Sequence, residues 1–319
     1  MATGDLWKEQ RRLSLTVLRG LGVGKRSFEH QIASEAECLM RAIQDNFGGK
    51  SFDPTYLVTN AVSNVICLVV LGRRFEYDDP EFKQLLEWVN GIFANPAATM
   101  ICMYIPFLRK IPYFPQGALP PSLCLQKKLR TIVDDHRDTI DTENPRDFID
   151  VYINDMIRKK EEGTETCMSS TELGALVRDF FLAGTETTSS TLRWAFLYML
   201  YFPDVQRRVH EELDAVVGRD RLPELSDKPN LPYTIACIHE IQRFSSIIHM
   251  TGVRYATGDT DFKGFTIPKG SYIIPNLYSV TREPSIWESP DEFKPERFLD
   301  ESGSVVKKIP EGIVFGTGK

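Results

Sequence analysis

The sequence of 319 residues contains no stretch of the roughly eighteen consecutive apolar residues that a membrane-spanning helix needs. The residues after Met1 do not have the pattern of a signal peptide either. The formal net charge is −6, and no long run of one sign suggests a basic arm for nucleic acid or an acidic tail. Composition therefore predicts a globular protein that does not bind nucleic acid.

Cysteine is scarce, and its spacing gives no support to a disulfide framework. The six cysteines lie far apart and form no C-x-x-C pair. They are Cys38, Cys67, Cys102, Cys124, Cys167 and Cys237. Because most of them lie within apolar helical patterns, we predict buried thiols in a reducing compartment.

Apolar residues at helical spacing dominate the first two thirds of the chain. Leu57, Ala61, Val65 and Val69 are one example, and Gly72 is placed to end that helix. The same reasoning predicts helices over 79–93, 123–137, 171–201 and 204–217.

Three connecting segments have signals of their own. The Asn144-Pro145 pair has the residue types of a helix cap and first turn, which predicts a helix running toward Lys160. Residues 161–170 are polar and are predicted to form a flexible surface loop. Residues 97–108 are apolar but bounded by prolines, so they fit either a buried loop or a patch that dips into a membrane, and the core is favoured.

Short strand patterns follow the last long helix. Residues Phe262–Ile267 and Ser271–Ile274 flank Pro268–Gly270, and this predicts a hairpin with proline at the second position of its turn. The fold is therefore predicted to be mostly α with a small β-sheet near the C-terminal part.

The helix predicted over 171–201 contains the unusual stretch A-G-T-E-T-T-S-S-T at 183–191. Glycine costs about 1 kcal/mol inside a helix, and Ser and Thr hydroxyls can bond the helix carbonyls and bend its axis. One interpretation is an opening beside Gly184 for a ligand, with Glu186 and Thr187 placed to relay protons. The other is a polar, surface-facing stretch of a kinked helix.

Two further patterns place donors and acids one helical turn apart. Trp7 and Arg11 share a helix face and can donate hydrogen bonds to the carboxylates of a cofactor, although an ordinary amphipathic surface has the same pattern. Glu240 and Arg243 lie in an otherwise apolar helix, which predicts a buried ion pair, and Arg297 of a later P-E-R-F motif can complete a network.

The pairs Glu9/Arg12 and Glu143/Arg146 have the same spacing as Glu240 and Arg243. What distinguishes Glu240 is the later P-E-R-F motif with Arg297, so we predict that these two other pairs are solvated.

The order of these motifs resembles that of a cytochrome P450. W-x-x-x-R, A-G-x-E-T-T, E-x-x-R and P-E-R-F follow one another at the separations of that family, and 315–319 is similar to the start of its haem loop, F-x-x-G-x-R-x-C. Residues 11–27, 144–150 and 232–243 further resemble microsomal members of family 2. The sequence thus resembles a single partial cytochrome P450 domain over 1–319, incomplete at both ends.

The resemblance implies a fold with a long central helix, a helical bundle and a small sheet. It also implies that Trp7, Arg11 and Arg254 contact the haem propionates, and that Phe315 and Gly318 belong to the haem loop. The axial cysteine is expected three residues after Lys319, so the resemblance implies no metal ligand in the chain itself and an inactive chain when alone.

The resemblance assigns three further groups of residues. An oxygen-binding kink, with Glu186 and Thr187 as proton donors for O–O cleavage, is implied at Ala183, Gly184, Glu186 and Thr187. A structural triad is implied at Glu240, Arg243 and Arg297. A substrate pocket is implied at Phe93, Phe180, Phe181, Ile247, Ile248 and Met250, each of which is also a plausible core residue.

The implied activity is that of a haem-thiolate monooxygenase with haem b. It would hydroxylate or epoxidise an apolar substrate such as a fatty acid, steroid or xenobiotic, using O2 and electrons from NADPH through a flavoprotein reductase. The family also implies attachment to the cytoplasmic face of the endoplasmic reticulum through an N-terminal anchor. Positive charge for an acidic reductase is available at Lys8, Arg11, Arg12 and Arg19.

Two alternatives to a monooxygenase are considered. A truncated product would be a non-catalytic helical protein that only binds or dimerises. A peroxide-rearranging cytochrome P450 is disfavoured, because Glu186 and Thr187 supply the acid and hydroxyl that reductive oxygen cleavage uses.

Overall fold

We describe the fold from a computed structural model, which describes residues 4–94, 119–164, 166, 168–303 and 306. The chain divides into two compact units, Met1–Ser189 and Ser190–Lys319. Helices dominate both units, as the sequence predicts, and the described strands lie in the second. In the part of the chain that is described, no helix has the length and apolar character needed to cross a membrane.

The first unit is built from helices. They are α1 (Gly4–Gly20), α2 (Arg26–Phe47), α3 (Thr55–Leu71), α4 (Pro80–Phe93), α5 (Leu119–Asp138), α6 (Phe148–Glu161) and the beginning of the long α7 (Ser170–Tyr201). Asp79 caps α4 by accepting the backbone N–H of Glu81 at 2.7 Å. Gly72 ends α3 in the left-handed conformation, with φ +66°. Both of these boundaries were predicted from the sequence.

The start of α6 differs from the prediction, which placed it at the Asn144-Pro145 pair. The helix begins after Asp147, whose carboxylate accepts the backbone N–H of Asp150 at 3.0 Å. The Asn144 side chain instead donates to Asp141 in the preceding turn, at 3.0 Å. Asn and Asp are equally good caps, so the local sequence contains two competing starts and the tertiary contacts of Asp147 select the second.

The core of the first unit draws on α4, α5, α6 and α7 together. Side chains that are 0% exposed are Phe82, Leu85, Val89, Leu125, Leu129, Phe148, Ile149, Tyr152, Leu173 and Val177. Burial of a large apolar side chain stabilises a fold by about 1.5–3 kcal/mol. These helices therefore hold the unit together, and α1 and α3 pack on the same cluster.

Asp147 also joins α6 to α5 through His136. Its Oδ2 lies 2.9 Å from His136 Nε2, and His136 Nδ1 lies 2.7 Å from the Ile132 carbonyl oxygen. Burial opposes a charge on this imidazole, but the hydrogen bonds outweigh it and raise the pKa of His136 above its ordinary value of 6.5. A Cβ on Gly72 would lie 2.6 Å from Asp147 Oδ2, so the glycine that ends α3 also makes room for this pair.

We expect His136→Gln to destabilise the protein more at about pH 5.5 than at about pH 9. Because the folded pKa of His136 is raised, its stabilising effect is complete below the unfolded pKa and is lost as pH rises through the folded value. Urea unfolding at both pH values measures the difference. His30→Gln, at an exposed position of α2, is the control. An equal loss of stability at both pH values would contradict the assignment.

The second unit continues from the end of α7 with short elements. They are α8 (Pro203–Val216), a 3-10 helix (Leu225–Asn230), α9 (Pro232–Ser245), β1 (Arg254–Tyr255), β2 (Thr260–Phe262), β3 (Phe265–Ile267), β4 (Tyr272–Ile273), α10 (Leu277–Arg282) and a second 3-10 helix (Pro295–Phe298). Aromatic rings form much of its core. Phe293 stacks on Phe202 at 4.8 Å between centroids and lies tilted against Tyr198 at 5.0 Å.

The strands pair differently from the predicted hairpin. β2 pairs with β3 through a turn at Lys263-Gly264, where both residues have positive φ. β4 pairs instead with the earlier strand β1. A turn does lie at Pro268–Ser271, where the Ser271 N–H donates to the Pro268 oxygen at 3.1 Å. That turn has proline first and connects strands of two separate sheets, so the prediction of a single hairpin around it was wrong.

The cysteines follow the prediction in part. Cys67 and Cys237 are buried, whereas Cys38 is half-buried and Cys124 is exposed on α5. Exposure of Cys124 contradicts the expectation for that residue, because it lies on the outer side of an amphipathic helix. Cys102 and Cys167 lie outside the described residues, as do residues 97–108.

Candidate functional site

The first turns of α1 present a pair of hydrogen-bond donors. Arg11 lies over the Trp7 ring, 5.6 Å from its centroid, and Trp7 is 43% exposed. Arg11 is exposed as well, whereas Gln10, Ser14 and Val17 of the same helix are buried. The indole N–H and the guanidinium therefore lie on the accessible side of α1, where they can donate to a carboxylate.

Glu9 is not solvated, although the sequence predicted that it would be. Its Oε1 accepts hydrogen bonds from Lys159 Nζ at 2.9 Å and from Thr166 Oγ1 at 2.7 Å. Lys159 and Thr166 lie 150 and 157 positions away in the chain. No local pattern could have indicated these partners, because only tertiary packing brings them to α1.

Glu143 and Arg146 do not form the pair that their spacing suggests. Arg146 Nε donates to Asp150 Oδ2 at 2.6 Å and its Nη2 donates to Oδ1 at 2.9 Å. Asp150 is completely buried and is the acid that holds this arginine.

The hydroxyl-rich stretch of α7 divides between two environments. Thr185 and Ser189 are 0% exposed, and the Thr185 hydroxyl lies 3.2 Å from Ser63 Oγ of α3. Thr187 is partly exposed and its Oγ1 donates to the Ala183 carbonyl oxygen at 2.7 Å. Glu186 is partly exposed as well. The stretch therefore has a buried side, where Thr185 contacts α3, and a more exposed side with Glu186 and Thr187, the residues of the predicted proton relay.

Gly184 lies at the close approach of α7 to α3. A Cβ at this position would be 2.5 Å from Ile66 Cδ1 and 2.7 Å from Ile66 Cγ1. The sequence analysis predicted room for a ligand beside this glycine, and the side chain that lies there in the structure is Ile66. Missing side-chain volume at Gly184 thus allows two helices to pack closely, and its contact with a cofactor stays a prediction.

We expect Gly184→Ala to lower the free energy of unfolding by about 1–3 kcal/mol, because the new methyl group overlaps the β-branched Ile66. Gly174→Ala is the matched control in the same helix, since nothing lies within 4 Å of a Cβ there. That variant should be neutral or more stable by up to about 1 kcal/mol. Thermal unfolding of the two variants gives the comparison. Equal changes in the stability of the two variants would show that the contact with Ile66 does not destabilise the Gly184→Ala protein.

Glu240 is the centre of a buried charge network in the second unit. Arg243 donates to both of its oxygens, from Nε to Oε2 at 2.7 Å and from Nη2 to Oε1 at 2.8 Å. Arg297 Nε donates to Oε1 at 3.2 Å, and the Lys294 backbone N–H donates there at 2.8 Å. Glu240 and Arg243 are 0% exposed. The predicted contacts among these residues are present in the structure.

The remaining donors of both arginines bond backbone carbonyls. Arg243 Nη1 bonds the oxygens of Thr281 and Pro290 at 2.8 and 2.9 Å. Arg297 Nη1 and Nη2 bond those of Glu288 and Ser289 at 2.6 and 3.0 Å. The network therefore holds α9 to the loop that follows α10, and it orders a segment with little regular structure.

Glu240→Gln should lower the free energy of unfolding by about 3–5 kcal/mol, because it leaves two arginines without their buried counter-charge. Asp204→Asn removes an exposed pair with Arg207 in the same unit and should cost at most about 1 kcal/mol. Guanidinium titrations followed by tryptophan fluorescence measure both variants. A Glu240→Gln protein as stable as the Asp204→Asn protein would refute the network's role.

The other predicted site residues belong partly to the first unit and partly to the second. Phe181 is a core residue with 1% exposure, and Phe180 packs edge-on against Phe148 at 5.0 Å. Phe93 is 42% exposed at the end of α4 and Met250 is 54% exposed. Three predicted site residues of the second unit are half-buried, namely Ile247, Ile248 and Arg254, and Arg254 lies in β1. Phe315 and Gly318 lie outside the described residues. The roles of these residues stay predictions.

His136, Asp147 and Asp150 have ligand atoms within 4.8 Å of one another, the usual chemistry of a metal site. Each of them already has a charged or polar partner. Arg146 binds both oxygens of Asp150, and His136 bonds Asp147. A guanidinium in the site repels a cation, so we interpret this cluster as a structural ion-pair network.

Comparison with known proteins identifies the class that this helical fold and its motifs define. The family model for cytochrome P450 matches residues 1–319. Cytochrome P450 2U1 from Bos taurus is 40% identical over 321 residues, a region that covers 99% of this chain and 58% of the relative. Cytochrome P450 2J3 from Rattus norvegicus is 41% identical over 322 residues, covering 100% of this chain and 63% of the relative.

Cytochrome P450 2J2 from Homo sapiens is likewise 41% identical over 324 residues, with 100% of this chain and 63% of the relative covered. The chain belongs to the cytochrome P450 family. It spans between 58% and 63% of the length of these three relatives.

The family implies a haem, and the donors on α1 fit one end of that group. Trp7 and Arg11 offer N–H donors on one accessible face, which suits carboxylates such as the haem propionates. Among the described cysteines, burial raises the pKa of the Cys237 thiol to about 12 and raises that of Cys67 as well. Both thiols are packed within apolar clusters, as is typical of structural cysteines.

Proposed function

We propose that this chain is the larger part of a single cytochrome P450 domain that acts as a haem-thiolate monooxygenase. The reaction would be hydroxylation or epoxidation of an apolar organic substrate such as a fatty acid, steroid or xenobiotic. The observation that carries the proposal is the hydroxyl pattern of α7 together with the family match. Glu186 and Thr187 lie on its partly exposed side, while Thr185 and Ser189 are buried.

The proposed roles of the residues follow from their chemistry. Activation of O2 is what haem b supplies when it is bound. Trp7 and Arg11 would hold its propionates by donating hydrogen bonds, with Arg254 as a further donor. Glu186 can take up a proton at its carboxylate from solvent, and Thr187 Oγ1 can pass its own proton on when it leaves the Ala183 carbonyl. The axial thiolate would come from the haem loop after Lys319.

Electrons would come from NADPH through a flavoprotein reductase. Lys8, Arg12 and Arg19 are exposed on α1 and supply positive charge for an acidic partner, although Lys8 also pairs with Asp5 at 2.9 Å. By similarity to microsomal members of the family, we propose attachment to the cytoplasmic face of the endoplasmic reticulum.

The experiment that tests this function is the reduced carbon-monoxide difference spectrum of the full-length protein, purified with haem. We expect a Soret band at the thiolate position, since that shift is specific to an iron–thiolate bond. Absence of the band would remove the monooxygenase proposal. The protein would then be better described as a helical binding or dimerising partner.

Thr187→Ala in the same protein separates proton delivery from haem binding. The band should remain, while NADPH electrons are diverted from product to hydrogen peroxide, by about tenfold or more relative to wild type. Thr188→Ala, one residue along and exposed, is the control and should keep the wild-type ratio. An unchanged ratio of NADPH used to product formed in the Thr187 variant would contradict the relay.

A further inference from the structure

Lys159 lies near the end of α6 in a nearly buried ion cluster. Its Nζ donates to Glu9 Oε1 at 2.9 Å and forms an ion pair with Asp155, whose Oδ2 lies 2.8 Å away. A third neighbour is Met168 Sδ at 3.3 Å. Burial opposes the charge, but the bonds to Asp155 and Glu9 outweigh it and raise the pKa of Lys159. The cation is therefore retained in the cluster at physiological pH.

The same cluster ties the segment between α6 and α7 to α1. Thr166 Oγ1 donates to Glu9 Oε1 at 2.7 Å and accepts the Met168 backbone N–H at 3.1 Å. Met168 is 7% exposed and belongs to the core of the first unit. The sequence predicted a flexible loop over 161–170, but two of its residues are held in place: Thr166 bonds Glu9 of α1, and Met168 packs in the core.

Helix geometry relates Glu9 to the donor pair. Trp7 and Arg11 are four residues apart and share one face of α1, whereas Glu9 is two residues from each and lies about 200° around the helix axis from Trp7. Fixing Glu9 against Lys159 and Thr166 therefore fixes the rotation of α1. With that rotation held, Trp7 and Arg11 lie on the side away from α6.

The exposed pair of Lys8 and Asp5 on α1 does not fix the rotation of the helix. Lys8 and Asp5 pair with each other at 2.9 Å with side chains 71% and 89% exposed, so that pair imposes no orientation on the helix. Glu9 and Lys159 are 19% and 11% exposed in their side chains, and they join two elements. Among the ion pairs of α1 within the described residues, the Glu9–Lys159 contact is shielded from solvent and spans two helices.

We infer that Lys159 is a positioning residue for haem, acting through Glu9 to hold α1 at the rotation in which Trp7 and Arg11 bind the propionates. The inference rests on the proposed function. It adds a role for two side chains on the opposite side of α1 from the cofactor, and it predicts that their effect on haem passes through Arg11.

The test measures haem loss from the full-length ferric protein to apomyoglobin. Lys159→Met and Glu9→Gln should each speed haem loss by about threefold to thirtyfold, and the double variant should lose haem no faster than the single ones. Lys160→Met, at the exposed neighbouring position, is the control and should match wild type. Glu9→Gln is nearly isosteric, so it keeps the test usable if Lys159→Met folds poorly.

A background of Arg11→Gln distinguishes positioning from stability. If Lys159 acts through α1, Lys159→Met should add little to the haem loss of Arg11→Gln, whereas a general weakening of the fold would multiply the two rates. Rates that multiply, or a Lys159→Met protein that loses stability but not haem, would overturn the inference. A full-length wild-type protein without the thiolate Soret band would instead overturn the proposed function, and this inference with it.

Discussion

A charge that is removed from water has to be matched by hydrogen bonds at nearly every atom, and this constraint organises both units. Glu240 in the second unit accepts from Arg243, Arg297 and the Lys294 backbone N–H. Glu35 in the first unit is 2% exposed and accepts from Arg74 and Tyr77, both at 2.7 Å. In each case the carboxylate joins segments that are apart in the chain, and around Glu240 an apolar cluster that includes Ala236, Trp287 and Phe298 supports the same arrangement.

A second constraint on the core of the first unit is the close contact between α3 and α7. Gly184 leaves the space that Ile66 occupies, and Ser63 and Thr185 hydrogen-bond beside it. A hydroxyl pair between helices satisfies polar groups that would otherwise be buried alone. The same stretch of α7 that packs against α3 leaves Glu186 and Thr187 on a more accessible side, so structural and proposed catalytic residues alternate along one helix.

The proposed haem-contacting pair on α1, Trp7 and Arg11, lies on the other side of that helix from Glu9. Trp7 and Arg11 are exposed, whereas α1 is held by its buried residues Gln10, Ser14 and Val17 and by the bond of Glu9 to Lys159. A helix that is held by buried residues and by one ion pair can present its exposed donors to a ligand without further contacts. Similarity to the cytochrome P450 family suggests the proposed role of Trp7 and Arg11, whereas the role inferred for Lys159 rests on the contacts of Glu9.

Sequence alone determined the features that depend on local periodicity and residue chemistry. The helical fold, the ends of α3 and α4 and the Glu240–Arg243–Arg297 network follow from apolar spacing, caps and a buried charge pair, and the ordered motifs indicated the family. Tertiary structure decided what competing local signals left open. It selected Asp147 over Asn144 as the cap of α6, and Lys263-Gly264 over the proline turn as the hairpin. It also gave Glu9 its partner, because contacts over 150 positions in the chain are set by packing and leave no mark on neighbouring residues.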